Sequence, residues 1–207
     1  MPDFDFIIIG SGFGGSVSAM RLAQKGYKVA VLEKGKRFGR QDFPKTNWNI
    51  WKFLWAPVAR CFGIQQITLL KGVMVLHGSG VGGGSLVYAN TLMRPRPVVF
   101  QDPRWPRGLD WEQELAPHYQ TASRMLGATL NKLESEADFE IKKLGAKLGV
   151  GQSYHLTEVG VFFSPEGIAP GTEVPDPYFK GEGPTRAGCT GCGGCMVGCQ
   201  IGAKNTL

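Results

Sequence analysis

The chain has 207 residues, of which 43% are hydrophobic and 19% are charged, and its formal net charge is +6. These values are typical of a globular protein with a sizeable core and exclude a low-complexity chain. Lysine and arginine are scattered, and no predicted helix or strand carries a basic stripe with interleaved aromatics, so we expect no nucleic-acid partner.

No apolar run approaches the 18 residues that a transmembrane helix needs. The first predicted strand begins at Phe6, which leaves no room for a signal peptide. We therefore expect a cytoplasmic location, in which cysteines stay reduced.

The start of the chain predicts a strand, a helix and a second strand. Phe6 to Ile9 and Val29 to Leu32 are short apolar runs typical of buried parallel strands, and Ser16 to Lys25 has the pattern of a helix. Between the first strand and the helix lies a G-x-G-x-x-G motif, and the second strand ends on an acid, Glu33. This context is that of an ADP-binding βαβ unit.

Each part of the motif has a physical role. Gly10 permits the tight turn, Gly12 lets the backbone approach a pyrophosphate, and Gly15 lets the helix pack close to the strand. The helix N-terminus offers N–H groups to phosphates, and Glu33 accepts from ribose hydroxyls, which favours an unphosphorylated ribose. The candidate cofactor-binding residues here are Gly10, Ser11, Gly12, Phe13, Gly14, Gly15 and Glu33.

Residues 36–66 depart from this pattern. Large apolar side chains recur there at helical spacings of three and four, at Trp48, Trp51, Trp55, Val58 and Phe62. They predict a core-facing helix on the nucleotide domain, shortened or kinked at Pro57. The alternative is that some of these aromatics line an apolar substrate entrance or touch a membrane surface.

A second glycine cluster follows a predicted strand at Val73 to Leu76, with five glycines between residues 78 and 84. Such a loop can wrap a ligand with its backbone N–H groups, after which Ser85 can cap a helix. A tight structural crossing of two chain segments is the alternative explanation. The candidate ligand residues in this loop are Ser79, Gly80, Gly83 and Gly84.

The two glycine loops in this order, with the segment from Trp111 into Leu126-Gly127, resemble the glucose–methanol–choline flavin oxidoreductases, most of all the bacterial cholesterol-oxidase-like branch. The resemblance covers nearly the whole chain. It implies non-covalent FAD and oxidation of an alcohol by hydride transfer to flavin N5. The implied fold class is α/β, with a FAD-binding Rossmann-like βαβ domain at 1–127 and the beginning of an α+β substrate or cap domain at 128–207, truncated.

The chain departs from the family at the flavin edge. Many steroid-oxidising members carry Val-Asn-Gly where this chain has Val87-Tyr88-Ala89. Either Asn90 takes over the asparagine's role through a local shift, or the flavin edge is contacted differently here. The family's catalytic His and Asn belong to a later part of the chain, so we expect an N-terminal fragment without catalytic residues of its own. The three histidines, His77, His118 and His155, are expected in loops or on helix surfaces.

Residues 128–148 predict a helix with Leu133, Ile141 and Leu144 among the residues of one face, and the Gly- and Pro-rich residues 149–187 predict a long irregular excursion. A cysteine run then follows at Cys189, Cys192, Cys195 and Cys199, with the C-x2-C-x2-C-x3-C spacing of bacterial ferredoxins. Two alternatives stay open for these candidate metal ligands, an iron–sulfur cluster or reduced cysteines packed in a glycine-rich turn. Tetrahedral zinc and disulfides are disfavoured, and Cys61 is expected in the core.

Several functions are compatible with this pattern. The leading hypothesis is a FAD-dependent oxidoreductase acting on a hydrophobic, sterol-like alcohol, with O₂ or another electron acceptor as its partner and peripheral contact with membranes as an option. A second is a flavin alcohol dehydrogenase that passes electrons through an iron–sulfur cluster. A third is a non-catalytic nucleotide-binding module. An NAD-dependent dehydrogenase would leave the second glycine loop unexplained.

Overall fold

The structure is a computed structural model that describes residues 3–206. The chain forms two compact units: the residues up to Ala89 together with those from Cys192 onward make the first, and Asn90–Gly191 make the second. These compact units do not test the domain boundary predicted after residue 127, which stays a prediction.

The first unit opens with the predicted βαβ arrangement. Strand β1 spans Phe6–Ile9, helix α1 spans Phe13–Gln24, and strand β2 spans Val29–Leu32. The two strands are parallel and in register from Phe6 opposite Val29 to Ile9 opposite Leu32. The α/β class and both strand bounds are confirmed. The helix begins three residues earlier than predicted, since Gly12 is already its N-cap.

Glycine at position 15 sets the distance between α1 and β1. A Cβ there would overlap the carbonyl oxygen of Gly10 and lie 3.3 Å from the Ile8 side chain. One face of the sheet therefore packs closely against the helix, as the motif predicts. Ile7 and Ile9 alternate with Ile8 and are 64% and 88% exposed. Because parallel sheets usually have layers on both faces, this second face is where we expect further polypeptide to pack.

The rest of the first unit consists of short elements. Helix α2 is Ile50–Phe53; β3 (Trp55–Ala56) pairs with β4 (Cys61–Phe62), and β5 (Gln65–Leu70) forms an antiparallel hairpin with β6 (Val73–Gly78). A 3-10 turn, Gly83–Leu86, follows. The core of this unit is a cluster of buried residues with two partly buried phenylalanines against it, namely Phe43, Ile64, Leu86 and Val87 with Phe38 and Phe53. Cys61 is buried, as predicted.

The aromatic helix predicted between Trp48 and Phe62 is wrong. Only four residues are helical, and Leu54 after them is extended, with φ −83° and ψ 141°. Pro57 prevents a helix from continuing to Phe62, because proline removes a donor and restricts the residue before it, and Trp55–Ala56 instead pairs as a strand with Cys61–Phe62. Trp48 and Trp51 are 88% and 62% exposed, so they are not core-facing. An apolar entrance or a membrane contact at these side chains stays a prediction.

The second unit contains α3 (Pro97–Phe100), α4 (Trp111–Met125), β7 (Thr129–Leu130), α5 (Glu136–Lys147), β8 (Glu158–Val159), β9 (Glu173–Val174) and β10 (Arg186–Ala187). Helix α5 begins eight residues later than predicted, because Ser135 and Asp138 form a capping box there. The largely irregular course of residues 149–187 is confirmed.

Within residues 3–206, no helix has the length and apolar character needed to cross a membrane. The cytoplasmic location stays a prediction.

We predict opposite effects for two neighbouring glycines of α1. Gly15→Ala should lower the free energy of unfolding by about 1–3 kcal/mol, the usual cost of forcing extra atoms into a packed site. Gly14→Ala is the matched control, since a Cβ there meets nothing within 4 Å. It should leave stability unchanged or raise it by up to about 1 kcal/mol through helix propensity. Urea unfolding of both variants measures this, and equal effects would contradict the packing role of Gly15.

Candidate nucleotide-binding site

The turn between β1 and α1 has the geometry that the motif predicts. Gly10 has φ +92°, a value that glycine adopts without strain, and its N–H donates to the carbonyl of Leu32 at 2.7 Å. No side chain caps the N-terminus of α1, and its first turn contains no acid. The N-terminal N–H groups and the positive end of the helix dipole therefore favour an anion at this position.

Glu33 is tied to this turn. Its Oε2 accepts from the backbone N–H of Ser11 at 2.9 Å and from the Ser11 hydroxyl at 2.7 Å, and its Oε1 accepts from the N–H of Gly35 at 2.9 Å. Burial acts to raise the pKa of Glu33, but the hydrogen bonds from Gly35 and Ser11 outweigh burial and hold this pKa below its ordinary value. Glu33 is thus ionised at neutral pH and shares its charge with two backbone donors.

Ser11 also reaches the second glycine loop. Its buried hydroxyl donates to Glu33 and accepts from the N–H of Gly82 at 3.1 Å. One side chain therefore joins the end of β2, the first glycine loop and a loop 71 residues further along the chain. Gly82 was not among the predicted site residues, although it lies in the same glycine cluster, because nothing in the sequence shows which N–H of the cluster meets Ser11.

The two glycine loops also meet backbone to backbone. A Cβ on Gly83 would lie 2.8 Å from the Cα of Gly12, and Gly83 has φ +52°. A Cβ on Gly12 would meet no atom closer than 4.0 Å, so this position opens onto free space. Gly12 is thus positioned as a backbone cradle that a side chain would fill. The tight structural crossing that the sequence left open does exist, and it places the second loop directly beside the first.

Close approaches continue at Gly35 and Gly80. A Cβ on Gly35 would overlap the backbone of Gly80, and a Cβ on Gly80 would lie 2.9 Å from the carbonyl oxygen of Lys36. The N–H of Val81 donates to that same carbonyl at 3.1 Å. The segment after β2 therefore packs along the second loop. Gly35 lies two residues after Glu33, and this position in the sequence could have identified it as a site residue.

Other predicted residues surround this crossing. Ser79 is 1% exposed, and its hydroxyl has no hydrogen-bond partner within residues 3–206. Gly84 faces the ring of Phe13, which itself packs edge-on against Tyr88 at 5.9 Å. Ser85 lies inside the 3-10 turn, and its hydroxyl donates to the carbonyl of Gly82, so its predicted capping of a following helix is wrong.

Asn90 belongs to the second unit, where it has φ 62° and its carbonyl accepts from Gly160 at 2.6 Å. Its predicted role at the flavin edge stays a prediction. His77 lies in β6, with Nε2 3.1 Å from the Thr68 hydroxyl, and not in a loop as expected.

The cysteine run is divided between the units. Cys189 belongs to the second unit and the other three to the first, and all are free thiols. Within the described part of the chain, no group of three or more His, Cys, Asp or Glu side chains could hold a metal ion. The arrangement gives no support to the iron–sulfur interpretation, which stays a prediction.

A cavity of about 480 Å³ lies elsewhere in the first unit, lined by residues between Arg40 and Lys52 and by Gln200. It is separate from the glycine loops. The glycine motif, the ionised Glu33 and the backbone donors come together where the two glycine loops meet. A ligand there would lie on the backbone surface and not in a closed cavity.

We predict that Glu33→Gln changes the pH dependence of stability. Because the folded-state pKa is lowered, ionised Glu33 stabilises the fold above the ordinary glutamate pKa of 4.5. This stabilisation is lost as the pH falls through the folded-state pKa. The difference in unfolding free energy between wild type and Glu33→Gln should therefore shrink from pH 7 towards acid. Urea unfolding over a pH series measures it, with the exposed Glu166→Gln as the control, and a difference that is constant with pH would contradict the ionised network.

Comparison with known proteins agrees with this geometry. A family model described as an NAD(P)-binding Rossmann-like domain matches residues 8–47. Over 207 residues, 100% of the chain, the sequence is 56% identical to a cholesterol oxidase of Mycobacterium tuberculosis and covers 36% of that protein. Over 205 residues, 99% of the chain, it is 50% identical to a cholesterol oxidase of Acinetobacter baumannii and covers 37% of it.

More distant relatives are similar over nearly the same span. The chain is 28% identical to a long-chain-alcohol oxidase of Arabidopsis thaliana over 201 residues, which are 97% of the chain and 23% of that protein. It is also 28% identical to a GMC-type oxidoreductase of Mycobacterium tuberculosis, of which it covers 28%. The chain thus spans little more than a third of the length of the cholesterol oxidases that it matches. The chain, with its two glycine loops joined through Ser11 on a Rossmann-like βαβ unit, therefore belongs to the glucose–methanol–choline (GMC) oxidoreductase family.

Proposed function

We propose that the chain is the FAD-binding part of an alcohol oxidoreductase whose substrate is a hydrophobic, sterol-like alcohol. The observation that carries the proposal is the contact between the two glycine loops, with an open backbone position at Gly12 and an ionised acid at the end of β2. The printed names of the relatives support the alcohol substrate: two are cholesterol oxidases and one is a long-chain-alcohol oxidase.

The residues of the site fit an adenine dinucleotide. The N-terminus of α1 and the glycine at position 12 suit the pyrophosphate, since a close backbone approach is needed there. Ser79 supplies a buried hydroxyl with no partner in the described residues, which is a donor that a bound ligand can satisfy. Glu33 suits ribose hydroxyls, although Oε2 is already occupied by Ser11, so a ribose would share Oε1 with Gly35.

The second glycine loop supports FAD over NAD, the other dinucleotide that fits a Rossmann-like unit. NAD requires only the first loop, the helix and the acid. The buried second loop adds the backbone of Gly82 and Gly83 beside the same turn, which extends the surface along which a longer ligand such as FAD can lie. When bound, FAD supplies the acceptor for the two electrons of the alcohol C–H bond. The residues of this chain bind and orient it.

The electron acceptor of the whole protein is proposed to be O₂, following the oxidase names of the relatives, with another acceptor as the alternative. The substrate hydroxyl would have to be activated by groups outside the site described above, since the residues around the loop crossing are backbone amides, glycines and an ionised acid already engaged in hydrogen bonds. We therefore assign no catalytic residue to this chain.

We expect Gly12→Val to abolish flavin binding. The branched side chain would occupy the open position at which the pyrophosphate must approach the backbone. The measurement is the flavin content of the purified full-length protein from its visible absorption. Gly145→Ala in α5 is the matched control, because a Cβ there meets no atom closer than 3.6 Å and the position lies outside the candidate site, so it should retain full flavin content.

Two results would contradict the proposal. Full-length wild-type protein without a flavin spectrum, even after incubation with FAD, would leave the non-catalytic nucleotide-binding module and the NAD-dependent dehydrogenase. Normal flavin content in Gly12→Val would show that the nucleotide binds elsewhere. The substrate class is tested separately, by comparing turnover of cholesterol with that of a long-chain primary alcohol, and a clear preference for the latter would overturn the sterol assignment.

A further inference from the structure

Lys204 is the largest fully buried side chain described in the structure, with 2% of its surface exposed. Its ammonium nitrogen donates to three backbone carbonyls: Leu86 at 2.7 Å, Tyr88 at 3.2 Å and Cys195 at 2.7 Å. A lysine ammonium has three N–H donors, so the three carbonyls match its full capacity. A buried lysine that is matched in this way has a specific structural task, since an unmatched buried charge is strongly unfavourable.

The carbonyls belong to segments that are far apart along the chain. Leu86 and Tyr88 end the second glycine loop, 118 and 116 residues before Lys204, whereas Cys195 precedes it by nine residues. The ammonium also lies 4.9 Å from the centre of the Tyr88 ring, close enough for a cation–π contact. Lys204 thus connects the final segment of the first unit to the end of the second loop.

Further bonds support the same connection. The hydroxyl of Tyr88 donates to the carbonyl of Asn205 at 3.0 Å, and the backbone N–H of Lys204 donates to the sulfur of Cys199 at 3.4 Å. Burial lowers the pKa of Lys204 to about 8, while Cys195 and Cys199 act to raise it. Three carbonyl acceptors around one nitrogen match the ammonium form, which has three N–H donors.

The end of the second glycine loop also contacts the residues of the candidate nucleotide-binding site. The N–H groups of Val87 and Tyr88 donate to the carbonyl of Gly84 at 3.2 and 3.0 Å, and the ring of Tyr88 packs against Phe13 of the first loop. Whatever fixes residues 86–88 therefore also fixes the turn that presents Gly82 and Gly83 to Gly12.

We propose that Lys204 is a positioning residue for the cofactor site, which holds the end of the second glycine loop in the shape that meets the first loop. This inference rests on the proposed FAD site and names the residue that keeps it assembled. No motif marks Lys204, and neither the predicted site nor the proposed function uses it.

The test compares Lys204→Met with Lys71→Met in the full-length protein. Methionine keeps the length and apolar volume of the side chain but removes all three donors, and Lys71 is an exposed lysine at the tip of the β5–β6 hairpin. The readouts are amide hydrogen exchange in the apoprotein, compared between residues 82–88 and residues 65–78, and the Kd for FAD.

For Lys204→Met we expect exchange of residues 82–88 to accelerate about tenfold or more, with residues 65–78 unchanged, and FAD binding to weaken about tenfold or more. Lys71→Met should match wild type in both readouts. Wild-type exchange and affinity in Lys204→Met would overturn the inference. An increase spread equally over both segments would also overturn it, because that is the result of a general loss of stability.

The two readouts separate failure of the proposed function from failure of the inference about Lys204. If wild type itself binds no FAD, the proposed function fails, while the exchange comparison still decides whether Lys204 fixes the loop. If Lys204→Met does not fold, Lys204→Gln replaces it, since the glutamine amide has no charge and two N–H donors in place of three. Faster exchange confined to residues 82–88 in Lys204→Gln then supports the inference, and unchanged exchange there overturns it.

Discussion

The hydroxyl group of Ser11 is the point on which the candidate site depends. It donates to Glu33 and accepts from Gly82, so it joins the end of β2, the first glycine loop and the second glycine loop within one hydrogen-bonded group. Hydrogen bonds to an ionised group are worth about 1.5–3 kcal/mol each, more than those between neutral partners. The bond that joins the two loops runs from the Gly82 N–H to the Ser11 hydroxyl, and the missing side chains allow the backbones to approach. The ionised Glu33 holds in place the serine that accepts this bond.

The need for close backbone approach explains why the loops contain so few side chains. Gly12 and Gly83 approach so closely that a Cβ on Gly83 would lie 2.8 Å from the Cα of Gly12. The N–H groups at the N-terminus of α1 are complementary to phosphate oxygens, and a side chain on Gly12 would separate the ligand from those donors. The buried ammonium of Lys204 fixes the far end of the same loop. The site is thus fixed at both ends by charged groups and open in the middle.

The sequence predicted the βαβ unit well, because its signals are local. The apolar runs at Phe6–Ile9 and Val29–Leu32, the glycine spacing and the terminal acid each depend on neighbouring residues, and the structure reproduces both strands to the residue. The aromatic spacing from Trp48 to Phe62 was misleading, since a helical period does not record that Trp55–Ala56 and Cys61–Phe62 pair as strands on either side of Pro57. The role of Lys204 could not be predicted, because its side chain binds carbonyls of residues distant in sequence, which no pattern of residue types records. Gly82 lies in the predicted glycine cluster, but no local pattern shows that its N–H meets Ser11, 71 residues away.

The central claim is that the two glycine loops form one nucleotide cradle. It is tested most directly by amide hydrogen exchange of the full-length apoprotein, measured before and after addition of FAD, at residues 10–16 and residues 79–86. If the loops form one cradle, FAD slows exchange in both segments together, with the same dependence on FAD concentration. Protection of residues 10–16 with no change at residues 79–86 would contradict it, and the second loop would then be a structural crossing without a role in cofactor binding.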